Sequence, residues 1–481
     1  MQLPIEEIDK QRAIMGRVRE ISESRQGQPM AYIDTYGCQQ NESDSERLRG
    51  MLAEMGYGFT GDEFAADVII INTCAIRENA ENRVYGNVGA LVHTKKAKPS
   101  QIIAFCGCMA AIGEVAEKIR QSYKHVDIMF SPNNLWRFPE MLLQALTGSR
   151  YEAAFSTNSR SFANEVGDGF IGEGYIIEGL PIHRDKAIKA WLPIMYGCNN
   201  FCTYCIVPHV RGQERSRKPD DIIQEARDII AQGYKDITLL GQNVNSYGAG
   251  LDANIDFASL IEMINDLDGE FLIRFMTSHP KDASRKLFES MAKSKKAARH
   301  IHLPFQAGSD RILELMNRGY TQEQYLAKIE MARELMPDIV ITSDVIVGFP
   351  GETEEEFEET LRLVEKAQFD AMFTFIYSKR PGTPAASMED FATREEKQLR
   401  FDRLIELQNA ISEDKHAKYI GKTVTVLVDE ESHDERYPLK ARTNGGRLVH
   451  IHGDSDILGS FVEATITHSS SWALFGEQKK N

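Results

Sequence analysis

The chain has 481 residues, 42% of them apolar and 26% charged, with a formal net charge of −15. That length leaves room for roughly two to four domains, and the composition is that of a globular protein rather than a disordered or fibrous one. The acidic balance excludes nucleic-acid binding through bulk charge and leaves only local basic surfaces for it. No apolar run approaches membrane-spanning length, and the charged N-terminus (Glu6, Glu7, Asp9, Lys10, Arg12) has no apolar signal core. A cytoplasmic location is therefore expected, where thiols stay reduced. The seven cysteines are an odd number in a long chain, which argues against a disulfide framework and leaves them free for metal.

Residues 1–29 are polar and read as an N-terminal extension, a loosely attached helix or tail. From Ala31, short apolar runs alternate with amphipathic stretches, the pattern of a parallel α/β domain over residues 30–148. Three strands are predicted: Ala31–Gly37 running into Cys38, Val68–Thr73 into Cys74, and Ile102–Gly107 into Cys108. In a parallel sheet the strand C-termini share one edge, where ligands bind. Cysteines about 35 residues apart in sequence can therefore meet in space, and a metal cluster on Cys38, Cys74 and Cys108 is expected. The competing reading is three buried structural thiols. Cys106 lies on the same strand face as Cys108; it reads as core and is the natural substitute ligand. Residues 149–185, rich in Gly, Ser and Asn, read as a linker.

A second β/α alternation covers residues 186–417. Strands are predicted at Leu192–Tyr196, Ile237–Leu240, Leu272–Met276, Ile301–Phe305, Ile339–Val347 and Ala371–Tyr377. Helices are predicted at Asp220–Ala231, Phe257–Leu267, Gln322–Leu335 and Glu354–Ala367, with capping boxes at Thr321/Gln324, Thr353/Glu356 and Thr393/Glu396. Six such units suggest a partial (β/α)6 barrel with its active site at the strand C-termini. After the first strand comes Cys198-Asn199-Asn200-Phe201-Cys202-Thr203-Tyr204-Cys205, a C-x3-C-x2-C loop. Three converging thiolates suit a soft metal, and a 4Fe–4S cube on three ligands leaves one iron open to a small molecule. Structural zinc is the rival, with His209 completing a Cys3His set. Polar groups at the other strand ends, among them Gln242, Ser278, Gln306 and Glu352, stand where they would clasp a cofactor.

From about Tyr419 the periodicity is again that of strands, at Thr423–Val428, Arg447–Ile451 and Phe461–Ile466. Residues 418–481 thus suggest a small β-barrel of the kind that binds RNA, with Trp472 and Phe475 closing its core or stacking on a base. Lys440, Arg442 and Arg447 are the candidate RNA contacts.

The C-x3-C-x2-C loop resembles that of the radical S-adenosylmethionine (SAM) enzymes, and Tyr204 matches the aromatic residue that precedes their third cysteine. With Thr35-Tyr36-Gly37-Cys38-Gln39-Gln40-Asn41, Asn72-Thr73-Cys74-Ala75-Ile76-Arg77-Glu78, Gly107-Cys108-Met109-Ala110 and Leu240-Gly241-Gln242-Asn243, the chain from Ala31 onward resembles the methylthiotransferase branch of that family. Gln40 departs from the usual Met, and the run after Leu240 favours the tRNA-modifying members over those that act on a ribosomal protein. The C-terminal segment resembles a TRAM domain, an RNA-binding module.

The resemblance implies two 4Fe–4S clusters, an auxiliary one on Cys38, Cys74 and Cys108 and a SAM-cleaving one on Cys198, Cys202 and Cys205. SAM would serve as methyl donor and as source of a 5′-deoxyadenosyl radical, with Tyr204, Gln242, Ser278, Gln306 and Glu352 as candidate contacts. The implied substrate is the N6-isopentenyladenosine beside the anticodon (tRNA position 37), held in an anticodon stem-loop, with C2–H replaced by C2–SCH3. An electron donor of flavodoxin type, no membrane and a monomeric state are also expected. Same-class alternatives are threonylcarbamoyladenosine in tRNA or a ribosomal-protein aspartate; the alternative of another class is a non-catalytic, metal-stabilised RNA-binding protein.

Overall fold

The structure, a computed structural model, describes residues 2–75, 78–148, 174–185, 187–251 and 255–479. The greater part of the expected linker, residues 149–173, lies outside the described residues, as do Ile76 and Arg77 of the second cysteine motif. The chain forms two compact units: Met1–Asp185 with Met195–Asn199 and Ile206–Arg217, and Lys186–Ile194 with Asn200–Cys205 and Lys218–Asn481. Among the described residues no helix is long and apolar enough to cross a membrane.

The first unit is built on β1 (Met30–Thr35), β2 (Gly58–Phe59), β3 (Val68–Thr73), β4 (Ile102–Gly107) and β5 (Ile128–Phe130). They form one parallel sheet in the order β2-β1-β3-β4-β5. Strands β3 and β4 are buried at every residue, as continuous apolar runs require when helices cover both faces. Period-2 alternation divides them between two cores: Val68, Ile70, Ile102, Ala104 and Cys106 face one, Ile69, Ile71, Ile103 and Phe105 the other. Cys106 is thus a core residue, as its place within the strand suggested.

The N-terminal extension corrects the sequence reading. Ile5–Glu23 is a helix whose Ile8, Ile14, Met15 and Val18 enter the same core as Leu142 and Val68. Apolar residues three and four apart make this stripe, which the many charges on the opposite face obscure. The extension is part of the first unit rather than a loose tail. The short pair β7 (Met195–Tyr196) and β8 (Arg215–Ser216) also belongs to this unit.

The second unit begins with β6 (Lys189–Pro193), β9 (Asp236–Leu240) and β10 (Leu272–Phe275), a parallel sheet in the order β10-β9-β6. Strands β11 (His300–His302), β12 (Val340–Val347) and β13 (Ala371–Ile376) form a second parallel sheet. Five of these six strands closely overlap those read from the sequence. The first lies at Lys189–Pro193 rather than Leu192–Tyr196, because Met195–Tyr196 pairs instead with β8. All three capping boxes form. The C-terminal part is a closed barrel of β14 (Thr423–Glu431), β15 (Leu439–Thr443), β16 (Leu448–His452), β18 (Leu474–Gln478) and β17 (Phe461–Ser469), joined in that order. Two of its five strands were not foreseen: β15 carries Lys440 and Arg442, which read as a basic cluster, and β18 contains Gly476.

This small barrel is fastened to the N-terminal ends of the parallel strands. Arg274 donates to the carbonyls of Asn444 (2.9 Å) and Thr443 (3.2 Å) while pairing with Asp236 at the start of β9 (2.8 Å). The Arg299 amide donates to Asn444 Oδ1 (3.0 Å), and Arg447 is buried against Asp370, just before β13.

Candidate active site

In the first unit the three strands deliver Cys38, Cys74 and Cys108 to one edge of the sheet, and two glycines make room for them. Gly37 has φ +134°, and a Cβ there would stand 2.4 Å from Cys74 Cβ. Gly107 has φ +92°, and its Cβ would stand 2.3 Å from the Thr73 carbonyl oxygen. Only glycine fits either position, by backbone conformation and by space. Cys38 is exposed at the rim, whereas Cys74 and Cys108 are buried.

The electrostatics of this site come from a residue outside the cysteine motifs. Arg211 is 5% exposed and donates to Asn41 Oδ1 (3.0 Å) and Asp44 Oδ2 (2.9 Å). A hydrogen bond with Cys74 first, and then the Arg211 charge and the amides of Asn41 and Gln40, bring the Cys38 thiol down to about 6 against the effect of burial. Burial pushes the Cys108 thiol up, and Arg211 opposes it. Burial disfavours the guanidinium charge, but Cys108, Asp44 and Cys38 outweigh it and hold Arg211 protonated. The helix Gln39–Glu54 carries the partners of this arginine on a polar face that is nonetheless buried. Asn41 Nδ2 donates to the Thr73 carbonyl (2.7 Å), and Asn72 Nδ2 donates to the Asn41 carbonyl and to Ser45 Oγ (both 2.9 Å). Arg211 and Arg217 both turn inward, Arg217 onto Glu178.

The second cysteine loop is shared between the units: Cys198 belongs to the first, Cys202 and Cys205 to the second. Cys198 follows Gly197, whose φ is +77° and whose Cβ would stand 2.0 Å from the Gln213 carbonyl oxygen; the Cys198 amide donates to the Gly212 carbonyl (3.2 Å). In the second unit the Cys205 amide donates to the Cys202 carbonyl (2.9 Å), and the Thr203 amide to that of Met316 (3.1 Å). A buried arginine again faces sulfur. Arg318 is 4% exposed and lies 3.3 Å from Cys202 Sγ, 3.4 Å from the Tyr204 hydroxyl and 3.1 Å from that of Tyr320, and it donates to the Pro304 carbonyl (2.7 Å). His279 Nε2 lies 4.0 Å from Cys202 Sγ; burial and the neighbouring Arg318 and Lys281 hold its pKa down at about 2, so the ring is neutral.

The expected cofactor contacts gather at the C-terminal ends of the parallel strands, with one exception. Ser278 follows β10, and its Oγ is buried without a hydrogen-bond partner, as is Asn245 Oδ1 after β9. Gln306 after β11 takes a left-handed φ of +70° while its amide donates to the Asp344 carbonyl (3.0 Å). Tyr204 is in place beside Arg318, and Gln242 stands between β9 and Asn243. Glu352 is the exception. It is buried, accepts from the Gly348 amide (2.7 Å) and pairs with Arg400 (3.3 Å), so its carboxylate braces its own turn. Burial pushes its carboxyl up to about 7.

The residues fit the groups that the resemblance implies. Two glycine-crowded turns point thiols at one sheet edge, and the strand ends of the second unit hold buried polar atoms still lacking partners. Among the described residues no three His, Cys, Asp or Glu side chains close around a single ion.

The three cationic RNA contacts expected from the sequence are differently disposed. Arg447 is corrected: at 9% exposure and paired with Asp370, it anchors the small barrel and has no face left for a phosphate. Arg442 pairs with the buried Asp429 (3.0 Å) and Lys440 with Glu430 (2.9 Å). Trp472 and Phe475 do not close the barrel core, which consists of Val426, Val428, Leu439, Ala441, Val449, Ile451, Ala464, Ile466 and Leu474.

Sequence reasoning missed Arg211 and Arg318. Each lies within a dozen or so residues of recognisable motifs, but only the folded chain shows that its charge is buried against sulfur.

Comparison with known proteins completes the picture. Residues 192–364 match the radical SAM superfamily, residues 30–131 the uncharacterized protein family UPF0004, and residues 417–479 the TRAM domain. A radical SAM methyltransferase from Kitasatospora setae, TsrM, shares the fold, with a TM-score of 0.55 over 75% of this chain and 77% of its own at 11% identity. The tRNA-2-methylthio-N(6)-dimethylallyladenosine synthase of Thermoanaerobacter sp. (strain X514) is 48% identical over 98% of this chain and 97% of its own length. That of Acetivibrio thermocellus is 47% identical over 98% of this chain and 96% of its own length. With such identity over nearly its whole length, the chain belongs to the radical SAM tRNA methylthiotransferase family.

Proposed function

We propose that this enzyme converts N6-isopentenyladenosine beside the tRNA anticodon to its 2-methylthio derivative, replacing C2–H by C2–SCH3. The observation that carries the reading is the near-full-length likeness to synthases of that nucleoside, in a chain whose six motif cysteines all follow strand ends. An adenine C–H is too weak an acid for side-chain bases, which is why the reaction calls for radical chemistry. When bound, two 4Fe–4S clusters and SAM would supply that chemistry: one cluster the electron that cleaves SAM, the other a site where sulfur receives the methyl group.

The chain's own residues hold and shield these groups. Cys198, Cys202 and Cys205 would ligate the SAM-cleaving cluster, and Cys38, Cys74 and Cys108 the auxiliary one. Arg318 and Arg211 would each place a positive charge beside ligating sulfur, favouring thiolate over thiol. Ser278, Asn245, Gln242 and Gln306 offer polar atoms at the strand ends where SAM would lie, while Glu352 shapes the turn beneath. The tRNA anticodon stem-loop would be the macromolecular partner, and a flavodoxin-type protein the electron donor.

Mass spectrometry of tRNA nucleosides after anaerobic turnover tests the reading. Protein with both clusters, SAM, a strong reductant and tRNA bearing isopentenyladenosine should yield the methylthio nucleoside, and Cys198→Ala should yield none. Product from threonylcarbamoyladenosine tRNA alone would overturn the substrate assignment.

A further inference from the structure

The outer face of the C-terminal barrel carries a row of rings. Strand pairing sets Lys440 of β15 against His450 of β16, His450 against Phe475 of β18, and Phe475 against His468 of β17. The three rings stand almost parallel. His450 and Phe475 are 5.2 Å apart at 16°, and Phe475 and His468 are 4.3 Å apart at 6°. Tyr437 leans on Phe475 at 5.2 Å. Trp472 stands edge-on to the row, at 85° to His450 and 81° to Phe475, and is 63% exposed.

The turn that presents the indole is fixed. Ser470 Oγ accepts from the amides of Trp472 (3.4 Å) and Ala473 (3.1 Å), the Ser470 amide donates to the Ala473 carbonyl (2.8 Å), and the Ser470 carbonyl is bonded to His416 (2.8 Å). A single exposed tryptophan is unremarkable, but one packed edge-on against the His450 and Phe475 rings and held by its turn keeps a large flat face in water at a cost in free energy.

We propose that the Trp472 indole, backed by the His450–Phe475–His468 row, is a stacking face for an unpaired nucleobase of the tRNA substrate. The proposal rests on the RNA substrate argued above. Aromatic faces take bases of any identity through stacking, without reading their hydrogen-bonding edges. The surrounding charge fits a base better than a phosphate, since Lys440, the cation in the row, is already paired with Glu430 and Arg442 with Asp429. The small barrel therefore grips RNA by its rings, the stacking alternative that the sequence offered for Trp472 beside its cations.

Trp472 is also the probe. Trp136 and Trp191 are buried, so a contact at the barrel reports through the exposed indole. Titration with tRNA bearing isopentenyladenosine should quench this fluorescence, and a fully paired RNA duplex of equal length should not. Trp472→Ala should weaken tRNA binding by about 10-fold or more with the salt dependence unchanged, because stacking releases no counterions. Phe475→Leu, which removes the buttress and leaves the indole, should give a smaller loss in the same direction. Unquenched fluorescence with tRNA bound, or equal affinity in wild type and both variants, overturns the proposal. So does self-association that depends on Trp472 in sedimentation, which would make a second copy the occupant. Nucleoside analysis on the same samples separates the two readings. Quenching without methylthio product sinks the reaction and leaves the stacking face, whereas product formed by Trp472→Ala at wild-type KM for tRNA does the reverse.

Discussion

Two buried arginines face cysteine sulfur in this protein, and they are neutralised differently. Arg211 touches the auxiliary cysteines and is paired with Asp44 at 2.9 Å, so its neighbourhood holds a carboxylate as well as thiols. Arg318, beside Cys202, bonds to two tyrosine hydroxyls and a carbonyl, and among the described residues no carboxylate pairs with it. Burial pushes both tyrosine hydroxyls up, so they stay neutral. The arginine beside Cys38 and Cys108 thus has its counter-charge in place, whereas Arg318 beside Cys202 meets only sulfur and neutral groups among the described residues. A buried charge without a partner is costly, and the thiolates of a bound cluster would relieve that cost.

The comparison breaks most sharply at Arg211. Arg211→Met leaves Asp44 buried and unpaired, a change expected to cost about 3–5 kcal/mol in urea unfolding of the iron-free protein. Arg211→Met combined with Asp44→Leu should recover most of that loss, because an apolar pair can replace a buried ion pair. Neither variant restores the cation beside Cys38 and Cys108, so reconstituted iron content should stay reduced by about half, the share of one cluster of two. Full iron in the double variant would mean that Arg211 only balances Asp44.

Arg318→Met should behave in the opposite way. It strands no carboxylate, only neutral acceptors, and it removes the unpaired buried charge, so the iron-free protein should lose less than about 1–3 kcal/mol. The reconstituted protein should show a changed electron paramagnetic resonance signal from the cluster at Cys202, with the auxiliary signal unaltered. A loss in the iron-free state as large as that of Arg211→Met would show that the two arginines serve the fold alike.

How much of this was legible beforehand follows from what each signal depends on. The edge that gathers Cys38, Cys74 and Cys108 could be read because parallel strands put their ends together, so it needed only the strands to be recognised. The capping boxes at Thr321, Thr353 and Thr393 are local in sequence and were equally plain. Charge was the poor guide. Arg447 read as an RNA contact, yet it is buried against Asp370, as Arg211 is against Asp44 and Arg217 against Glu178, all far away in sequence. No local pattern announces a pairing across 167 or 77 residues. The row of rings on the small barrel was hidden for a related reason, since it exists only in the register of β16, β18 and β17.

Another buried arginine, Arg400, which also pairs with Glu354 (2.9 Å), sharpens the contrast through pH. Its partner Glu352 has its carboxyl pushed up to about 7, by burial first, against the pull of the Gly348 amide and Arg400. The unfolded carboxyl titrates near 4.5, so between these values the folded chain keeps a proton that the unfolded chain has lost. A raised folded pKa contributes stability that is fully present below the unfolded value and is lost as pH rises through the folded one. Relative to Glu352→Gln, which cannot ionise, the wild type should therefore lose stability from pH 4.5 to 7, by at most about 1.4 kcal/mol per pH unit. Urea unfolding of both proteins across that range decides the matter. A wild type that instead gains on the variant as pH rises would show Glu352 ionised in the fold and held as an ion pair by Arg400, as Asp44 is by Arg211.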